Sequence, residues 1–268
     1  MATLPTSTVC SVDLHALPCL QHLQRALNPD NVRVVVIDEF DTMLDRFHDE
    51  VRDVTRLLPH DCHIIMVSAT ANADAVDVAR RILRDPVEVS GENRVSASVA
   101  QYVVDCGDRD ADGGDSAQRG ALVELVQMSR ARGRTIVFAN STDLVDSLAA
   151  ELASEGVSKV AAVHGKLPLE QRDAAVTMFR TGDVEVLVAT DSVARGFDVQ
   201  QVGTVLHFGV ARDHASYVHR SSRCGRQGRR GVAVSIVAGD DDWRWLRRIE
   251  QAEGAAIRPL TKRALDSS

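Results

Sequence analysis

Short runs of β-branched apolar residues alternate with amphipathic stretches along most of this chain. Seven runs of four to six residues are strand candidates: 34–37, 64–67, 135–138, 160–163, 186–189, 204–208 and 232–237. Between them, stretches such as 49–58 and 141–152 repeat apolar side chains at the three- and four-residue spacing of a helix. Strands that are apolar throughout are buried on both faces, as in a parallel sheet with crossover helices. The pattern therefore predicts an α/β fold with parallel sheets.

A change in composition divides the chain into two domains. Residues 105–120 are rich in aspartate and glycine and contain almost no large apolar side chain, which is typical of a linker. Two strand candidates precede this linker and five follow it. We therefore expect an incomplete N-terminal domain at 1–104 and a complete C-terminal domain at 121–268.

The formal net charge of −7 argues against a protein that binds nucleic acid through an overall positive charge. The charge is nevertheless unevenly distributed, since residues 212–230 contain six arginines and a single acid. Several of these arginines are three positions apart, which predicts one basic helical face suited to phosphate groups. A surface helix paired with acidic neighbours is the alternative interpretation.

Cysteine usage and the terminal segment bear on the compartment. The five cysteines form no C-x-x-C pair, so neither a disulfide framework nor a zinc site is indicated, and we expect a reducing, intracellular compartment, cytoplasmic or nuclear. The first 27 residues carry Ser, Thr and only one acid, which makes an organellar location the alternative.

No apolar run approaches the roughly 20 residues that a membrane span needs, so we expect no contact with a membrane.

Polar side chains follow three of the strand candidates directly. Asp38 and Glu39 come after the first, Ser68 and Thr70 after the second, and the segment 190–198, with a polar start, an Arg-Gly pair and a final acid, after the fifth. The carboxyl ends of parallel strands form the edge at which open α/β sheets bind ligands. One acid there can hold Mg²⁺ while a second orients an attacking water. A solvated turn, or a Ser/Thr cap of the next helix, is the alternative interpretation of these sites.

In this order and spacing the segments resemble the motifs of superfamily 2 helicases, and of the DEAD-box RNA helicase family in particular. The matching segments run from motif II to motif VI: D-E-F-D at 38–41, S-A-T at 68–70, V-F-A-N at 137–140, V-H-G-K at 163–166, A-T-D-S-V-A-R-G-F-D at 189–198 and H-R-S-S-R-C-G-R-Q-G at 219–228. The resemblance implies two RecA-like lobes, with the N-terminal one partial. It also implies ATP and Mg²⁺ as cofactors, and RNA, held by its backbone with little sequence preference, as the partner.

The resemblance assigns a role to each matching residue. Asp38 would reach Mg²⁺ largely through water, Glu39 would position the hydrolytic water, and Arg223 and Arg226 would be the arginine fingers. Two residues would bind the nucleotide: Asp198, on its ribose, and Gly196. Four would couple the nucleotide state to closure of the lobes: Asp41, Ser68, Thr70 and His219. Four would lie along the RNA backbone: Arg172, Thr190, Arg195 and Gly196.

The chain also departs from the family pattern. Phe40 stands where motif II has a small residue, and Ser222 where motif VI has a glycine. Only thirty-seven residues precede Asp38, and neither the adenine-reading Q motif nor a G-x-x-x-x-G-K-[ST] phosphate loop occurs in the sequence. That loop supplies the main donors to the ATP phosphates. We therefore expect an N-terminally shortened form of an ATP-dependent RNA helicase.

Two other functions are compatible with these residues. A non-catalytic RNA- or protein-binding module of a ribonucleoprotein complex would need a protein partner to cover its incomplete N-terminal lobe. A DNA-directed motor of the same superfamily is less favoured by the S-A-T triplet and the 189–198 run.

Overall fold

The computed structural model describes residues 30, 32–68, 73–89, 91, 93–107, 116–191, 202–226 and 228–261. The chain divides into two compact units, Met1–Gly91 and Glu92–Ser268. No helix of the described segments is long and apolar enough to cross a membrane.

The described residues of the first unit form a two-stranded parallel sheet and two helices. In chain order these are β1 (Val34–Ile37), α1 (Phe40–Leu57), β2 (His63–Met66) and α2 (Ala73–Ile82). The strands pair from Val34 opposite His63 to Ile37 opposite Met66. Helix α1 begins nine residues before the expected start at 49, because Phe40, Met43 and Leu44 extend its apolar stripe into the core.

The two faces of this small sheet have different surroundings. Alternate residues of a strand point to opposite faces, and one face, with α1 and α2, packs around a core that includes Ile37, Phe40 and Val51. The other face exposes four large apolar side chains by 46–60%: Val34, Val36, Ile65 and Val67. The first unit is thus an α/β layer with one covered face, as expected for a partial lobe.

The second unit is built on a seven-stranded parallel sheet. Its strands are β3 (Val99–Asp105), β4 (Arg134–Ala139), β5 (Val160–Val163), β6 (Val186–Ala189), β7 (Val202–Phe208), β8 (Gly231–Val237) and β9 (Arg258–Pro259). Their order across the sheet is β5-β6-β4-β7-β8-β3-β9. The α-helices among the described residues of this unit are α3 (Ser116–Ser129), α4 (Thr142–Ser154), α5 (Leu169–Thr181), α6 (His214–Ser221) and α7 (Gly239–Glu253).

Both faces of this sheet are buried. Ile136, Phe138 and Leu187 belong to one apolar core, while the intervening Val137 and Val188 belong to a second core on the opposite face. This two-sided burial explains why the strands of the second unit are apolar at nearly every position, as the sequence pattern indicated.

The boundary between the units lies earlier than composition indicates. Strand β3 falls inside the expected N-terminal domain at 1–104, yet it pairs with β8 residue by residue, from Val99 opposite Gly231 to Asp105 opposite Val237. The expected linker at 105–120 begins on the last residue of β3 and ends inside α3. Burial of β3 in the larger sheet therefore places the division at Gly91 and Glu92.

Candidate functional site

The acid pair forms the whole connection between β1 and α1. Asp38 is exposed and Glu39 half-buried. Glu39 has φ 49° and ψ 44°, a left-handed conformation that a residue with a side chain seldom adopts. The Glu39 backbone N–H donates to Asp38 Oδ1 at 2.9 Å. This tight turn fixes both carboxylates at the carboxyl edge of the small sheet.

Two backbone hydrogen bonds bring the end of β2 to the same turn. The Phe40 N–H donates to the Val67 carbonyl at 3.0 Å, and the Val67 N–H donates to the Ile37 carbonyl at 2.8 Å. Ser68, the next residue, is therefore held beside the acid pair, because both segments follow the carboxyl ends of paired parallel strands. Phe40 is 3% exposed and fills the core, so the large residue in this motif points away from the edge. The Asp41 side chain and Thr70 lie outside the described residues.

The acid turn suits a metal ion that is shared with a ligand. Among the described residues, no group of three or more His, Cys, Asp and Glu side chains is placed to hold a metal. The exposed Asp38 carboxylate accepts one hydrogen bond there, from its neighbour's backbone. Mg²⁺ commonly takes one or two carboxylates, with waters and substrate phosphates completing its shell. Asp38 fits that use.

In the second unit, the carboxyl edge of the sheet carries a buried charge network. The Arg220 side chain, in α6, is 2% exposed and donates through Nε and Nη2 to the two carboxylate oxygens of Asp191, both at 2.6 Å. Nη2 also donates to Asn140 Oδ1 at 2.8 Å. The guanidinium lies 5.4 Å from the centre of the Phe138 ring. One arginine thus joins α6 to the residues that follow β4 and β6.

The same network reaches β7. The Asn140 side chain donates from Nδ2 to the Val210 carbonyl at 3.1 Å. His207, inside β7, is fully buried and stacks on the Tyr217 ring at a centroid distance of 5.0 Å. Burial, and secondarily the Arg220 charge, hold the pKa of His207 well below its ordinary value. These effects favour the neutral form of His207, which stacks between the Phe138 and Tyr217 rings and places Nε2 3.2 Å from Ser221 Oγ.

The candidate finger arginines lie in a turn, and the expectation of one basic helical face is wrong. Helix α6 begins after Asp213, whose Oδ1 accepts from the Ser216 N–H at 2.7 Å, and it ends at Ser221. Arg223 and Arg226 therefore lie beyond the helix. We call residues 222–226 the arginine turn.

The arginine turn is compact and largely enclosed. Arg223 is 8% exposed, and Arg226 is half-buried with its Nε donating to the Ser222 carbonyl at 2.8 Å. Ser222 has an ordinary φ of −71°, so the glycine of the family pattern is not required there. Cys224 is 1% exposed, and burial raises the pKa of its thiol to about 12.

The remaining candidate residues lie in different places. His219 is half-buried in α6, Thr190 is half-buried at the end of β6, and Arg172 is half-buried in the first part of α5. Arg195, Gly196 and Asp198 lie outside the described residues. Thr190 directly precedes Asp191, so the Arg220 network holds this end of the candidate RNA-contacting segment.

Comparison with known families matches both units. The family described as "DEAD/DEAH box helicase" matches residues 14–78, and the "Helicase conserved C-terminal domain" matches residues 117–228. Eukaryotic initiation factor 4A of Drosophila melanogaster is 33% identical over 246 residues, which are 91% of this chain and 59% of that protein. The chain belongs to the DEAD-box helicase family. The ATP-dependent RNA helicase eIF4A of Neosartorya fischeri shows the same identity over 91% of this chain and 60% of its own length.

Solved structures agree with this membership. Dbp5 of S. cerevisiae bound to RNA and ADP BeF3 superposes with a TM-score of 0.76 and 28% identity, over 89% of this chain and 62% of that one. The C-terminal domain of Dbp5 alone gives a TM-score of 0.53 at 30% identity, over 60% of this chain and 89% of that domain. This DEAD-box chain therefore spans about three fifths of the length of its curated relatives. Its second unit corresponds to a nearly whole C-terminal helicase domain.

Sequence reasoning placed two further residues, Asn140 and Asp191, inside matching segments but gave neither of them a role, although a signal for such a role existed. Asn140 directly follows β4, and Asp191 lies two residues beyond β6. Both obey the rule that identified Asp38, namely a polar residue at the carboxyl end of an apolar strand. Arg220 also lies inside a matching segment, but the sequence does not indicate its burial, because a charged residue in an amphipathic helix is ordinarily exposed.

Proposed function

We propose that the chain works as part of a DEAD-box ATP-dependent RNA helicase, in which it supplies the acid turn and the arginine turn for ATP hydrolysis and an RNA-binding edge. The observation that carries this proposal is the left-handed turn at Glu39. A strained residue persists only where the surrounding structure holds it, and such residues cluster at active sites. Here the left-handed turn holds two carboxylates at the sheet edge where a nucleotide would bind.

The proposed chemistry follows from the groups present. Asp38 would share Mg²⁺ with the phosphates of ATP, and that ion would neutralise charge on the transferring phosphoryl group. Glu39 would hold and orient the attacking water. Arg223 and Arg226 would stabilise the negative charge that develops on the phosphoryl oxygens. Asp198 and Gly196 would contact the nucleotide.

RNA would be held by its backbone along the second unit. Arg172, Thr190, Arg195 and Gly196 supply cationic, hydroxyl and backbone donors, which bind phosphate and sugar without reading the bases. The Arg220–Asp191 pair would keep Thr190 in place beside this surface. Relatives named as RNA helicases, and Dbp5 with RNA bound, support RNA as the partner. Ser68, Asp41, Thr70 and His219 would transmit the nucleotide state between the units.

A second candidate function is non-catalytic. The sequence has no phosphate loop, and the first unit exposes Val34, Val36, Ile65 and Val67 on one sheet face. A module that binds RNA through its second unit and a protein through this face would have both features. One similar protein has a protein partner, since a structure of S. cerevisiae Dbp5 contains bound Gle1.

One experiment separates the two functions. RNA-stimulated ATP hydrolysis is measured with the purified 268-residue chain and with Glu39→Gln, and RNA binding is measured on the same samples. We expect RNA-dependent hydrolysis that is lost in Glu39→Gln while RNA binding is kept. A high KM for ATP is expected, because no phosphate loop contributes donors. RNA binding with no hydrolysis in the unaltered chain would support the non-catalytic module instead.

A further inference from the structure

The segment at the start of the second unit lies against the arginine turn. Residues 95–99, which we call the bracket, follow the boundary at Gly91 and Glu92 and lead into β3. The Ser98 hydroxyl donates to the Gly225 carbonyl at 2.8 Å. The Ser98 carbonyl in turn accepts from the Gly231 N–H at 2.9 Å. One residue therefore contacts both the arginine turn and the first residue of β8.

Van der Waals packing fixes the same point. Gly225 has φ +70°, which favours glycine, and a Cβ added to it would come within 2.6 Å of Val99 Cγ2 and 2.9 Å of Ser98 Oγ. The backbone of the arginine turn thus lies so close to the bracket that no side chain would fit at Gly225. The arginine turn therefore cannot shift toward β3 without a clash with Val99 or Ser98.

The other end of the bracket is anchored by a buried acid. Glu253, the last residue of α7, is 7% exposed. Its Oε2 accepts from the Val95 N–H at 3.2 Å, and its Oε1 lies 2.6 Å from Nε2 of His214, the first residue of α6. Gln101 Nε2 donates to Glu253 Oε2 at 3.4 Å, and Tyr217 Oη donates to Gln101 Oε1 at 2.8 Å.

The two ends of the bracket therefore contact the two ends of one functional segment. Glu253 links Val95 to the start of α6, while Ser98 links the bracket to the turn that follows α6. We propose that Ser98 is a positioning residue, which holds the arginine turn in place through its hydrogen bond to Gly225 and so connects the junction of the two units to Arg223 and Arg226. The structural part of this proposal stands on the contacts alone, and its catalytic part rests on the proposed function.

Hydrogen exchange tests the structural part with three variants. Ser98→Ala removes the donor, Ser98→Thr keeps it, and Ser154→Ala removes an equivalent surface bond from a serine hydroxyl to the Glu151 carbonyl. Ser98→Ala is expected to speed exchange at the hydrogen-bonded amides of the turn by about two- to tenfold, the net effect of one hydrogen bond. Those amides belong to Ser222, Arg223 and Cys224.

The same exchange experiment has three further expected results. Amides of the central strands, such as β4 and β7, should exchange as in the unaltered chain, Ser98→Thr should restore slow exchange, and Ser154→Ala should leave the turn unchanged. Unchanged exchange in Ser98→Ala, or a uniform rise across the whole sheet, would overturn the proposal.

Steady-state kinetics test the catalytic part. In Ser98→Ala the kcat of RNA-stimulated ATP hydrolysis should fall about two- to tenfold with the KM for ATP and the Kd for RNA unchanged, because the arginines act on the transition state. An unchanged kcat would overturn the positioning role. If the unaltered chain hydrolyses no ATP, the proposed function fails, and the exchange result alone decides whether the bracket holds the turn.

Discussion

Arg220 and Asp191 form a two-point ion pair with both oxygens of the carboxylate engaged at 2.6 Å. The pair joins the last turn of α6 to the residue that follows Thr190. Only a guanidinium offers two parallel donors in this geometry. The pair therefore fixes the position of Asp191, next to Thr190, relative to the last turn of α6, which leads into the arginine turn.

Arg220→Lys should lower the free energy of unfolding of the second unit by about 1–3 kcal/mol, because an ammonium group keeps the charge but loses one of the two parallel bonds in a buried place. Urea unfolding followed by fluorescence of the two tryptophans in α7 measures this. The matched control is Arg244→Lys, whose partner Asp241 lies 3.0 Å away on the protein surface. That change should stay within about 0.5 kcal/mol. Equal effects of the two substitutions would contradict the account.

The left-handed turn at Glu39 should reverse the usual order of stability, in which an alanine variant is more stable than a glycine variant. Glu39→Gly and Glu39→Ala both remove the carboxylate, but only glycine relieves the positive φ of 49°. Both variants should lack hydrolysis, whereas Glu39→Gly should be the more stable by about 1 kcal/mol. Thermal unfolding of the paired variants gives the measurement. A more stable Glu39→Ala variant would show that the turn is not strained.

Neighbouring valines of β1 should respond oppositely to the same substitution. Val34→Thr combined with Val36→Thr places hydroxyls on the exposed sheet face and should reduce concentration-dependent association, with little loss of stability. Val35→Thr places a hydroxyl against the core of the first unit and should destabilise it by about 1–2 kcal/mol. Light scattering and thermal unfolding distinguish the two effects. If Val35→Thr is harmless and the double variant unfolds, the faces are assigned the wrong way round.

Stability should fall as the pH rises above 9. Burial raises the pKa of Cys224 from 9.0 to about 12, so the unfolded chain loses this proton at a lower pH than the folded chain does. Ionisation of the unfolded thiol then favours unfolding over this interval. Cys224→Ala should flatten the decline, while Cys62→Ala, at a more exposed thiol, should change it less. Urea midpoints across this pH range provide the test, and parallel curves for all three chains would contradict it.

Strands were predictable from sequence where apolar residues fill every position. The runs 34–37, 160–163 and 186–189 coincide with β1, β5 and β6. Strand β3 was missed because Gln101 interrupts its apolar run. In the structure that side chain bonds to Tyr217 and Glu253, residues more than a hundred positions away. No local pattern contains such a contact, and the domain boundary was misplaced for the same reason.

The candidate site was predictable in part for a related reason. Asp38, Glu39 and Ser68 meet at one edge because parallel strands align their carboxyl ends. The arginine spacing suggested a longer helix, but the helix ends at Ser221 and the backbone turns again at Gly225, with φ +70°, which residue spacing cannot show. The burial of Arg220 was not predicted because it depends on Asp191 and Asn140, which come from two other strand ends. The burial of such a side chain therefore depends on tertiary contacts, which the periodicity of a sequence does not contain.

The central claim is that the arginine turn acts on the phosphoryl group of ATP. Its most direct test is RNA-stimulated ATP hydrolysis by an Arg223→Ala, Arg226→Ala variant, beside an Arg229→Ala, Arg230→Ala control that removes two exposed arginines from the same segment. The account predicts loss of at least about a hundredfold in kcat for the first variant, with RNA binding retained, and little change in kcat for the control. Equal hydrolysis by the two variants would contradict it.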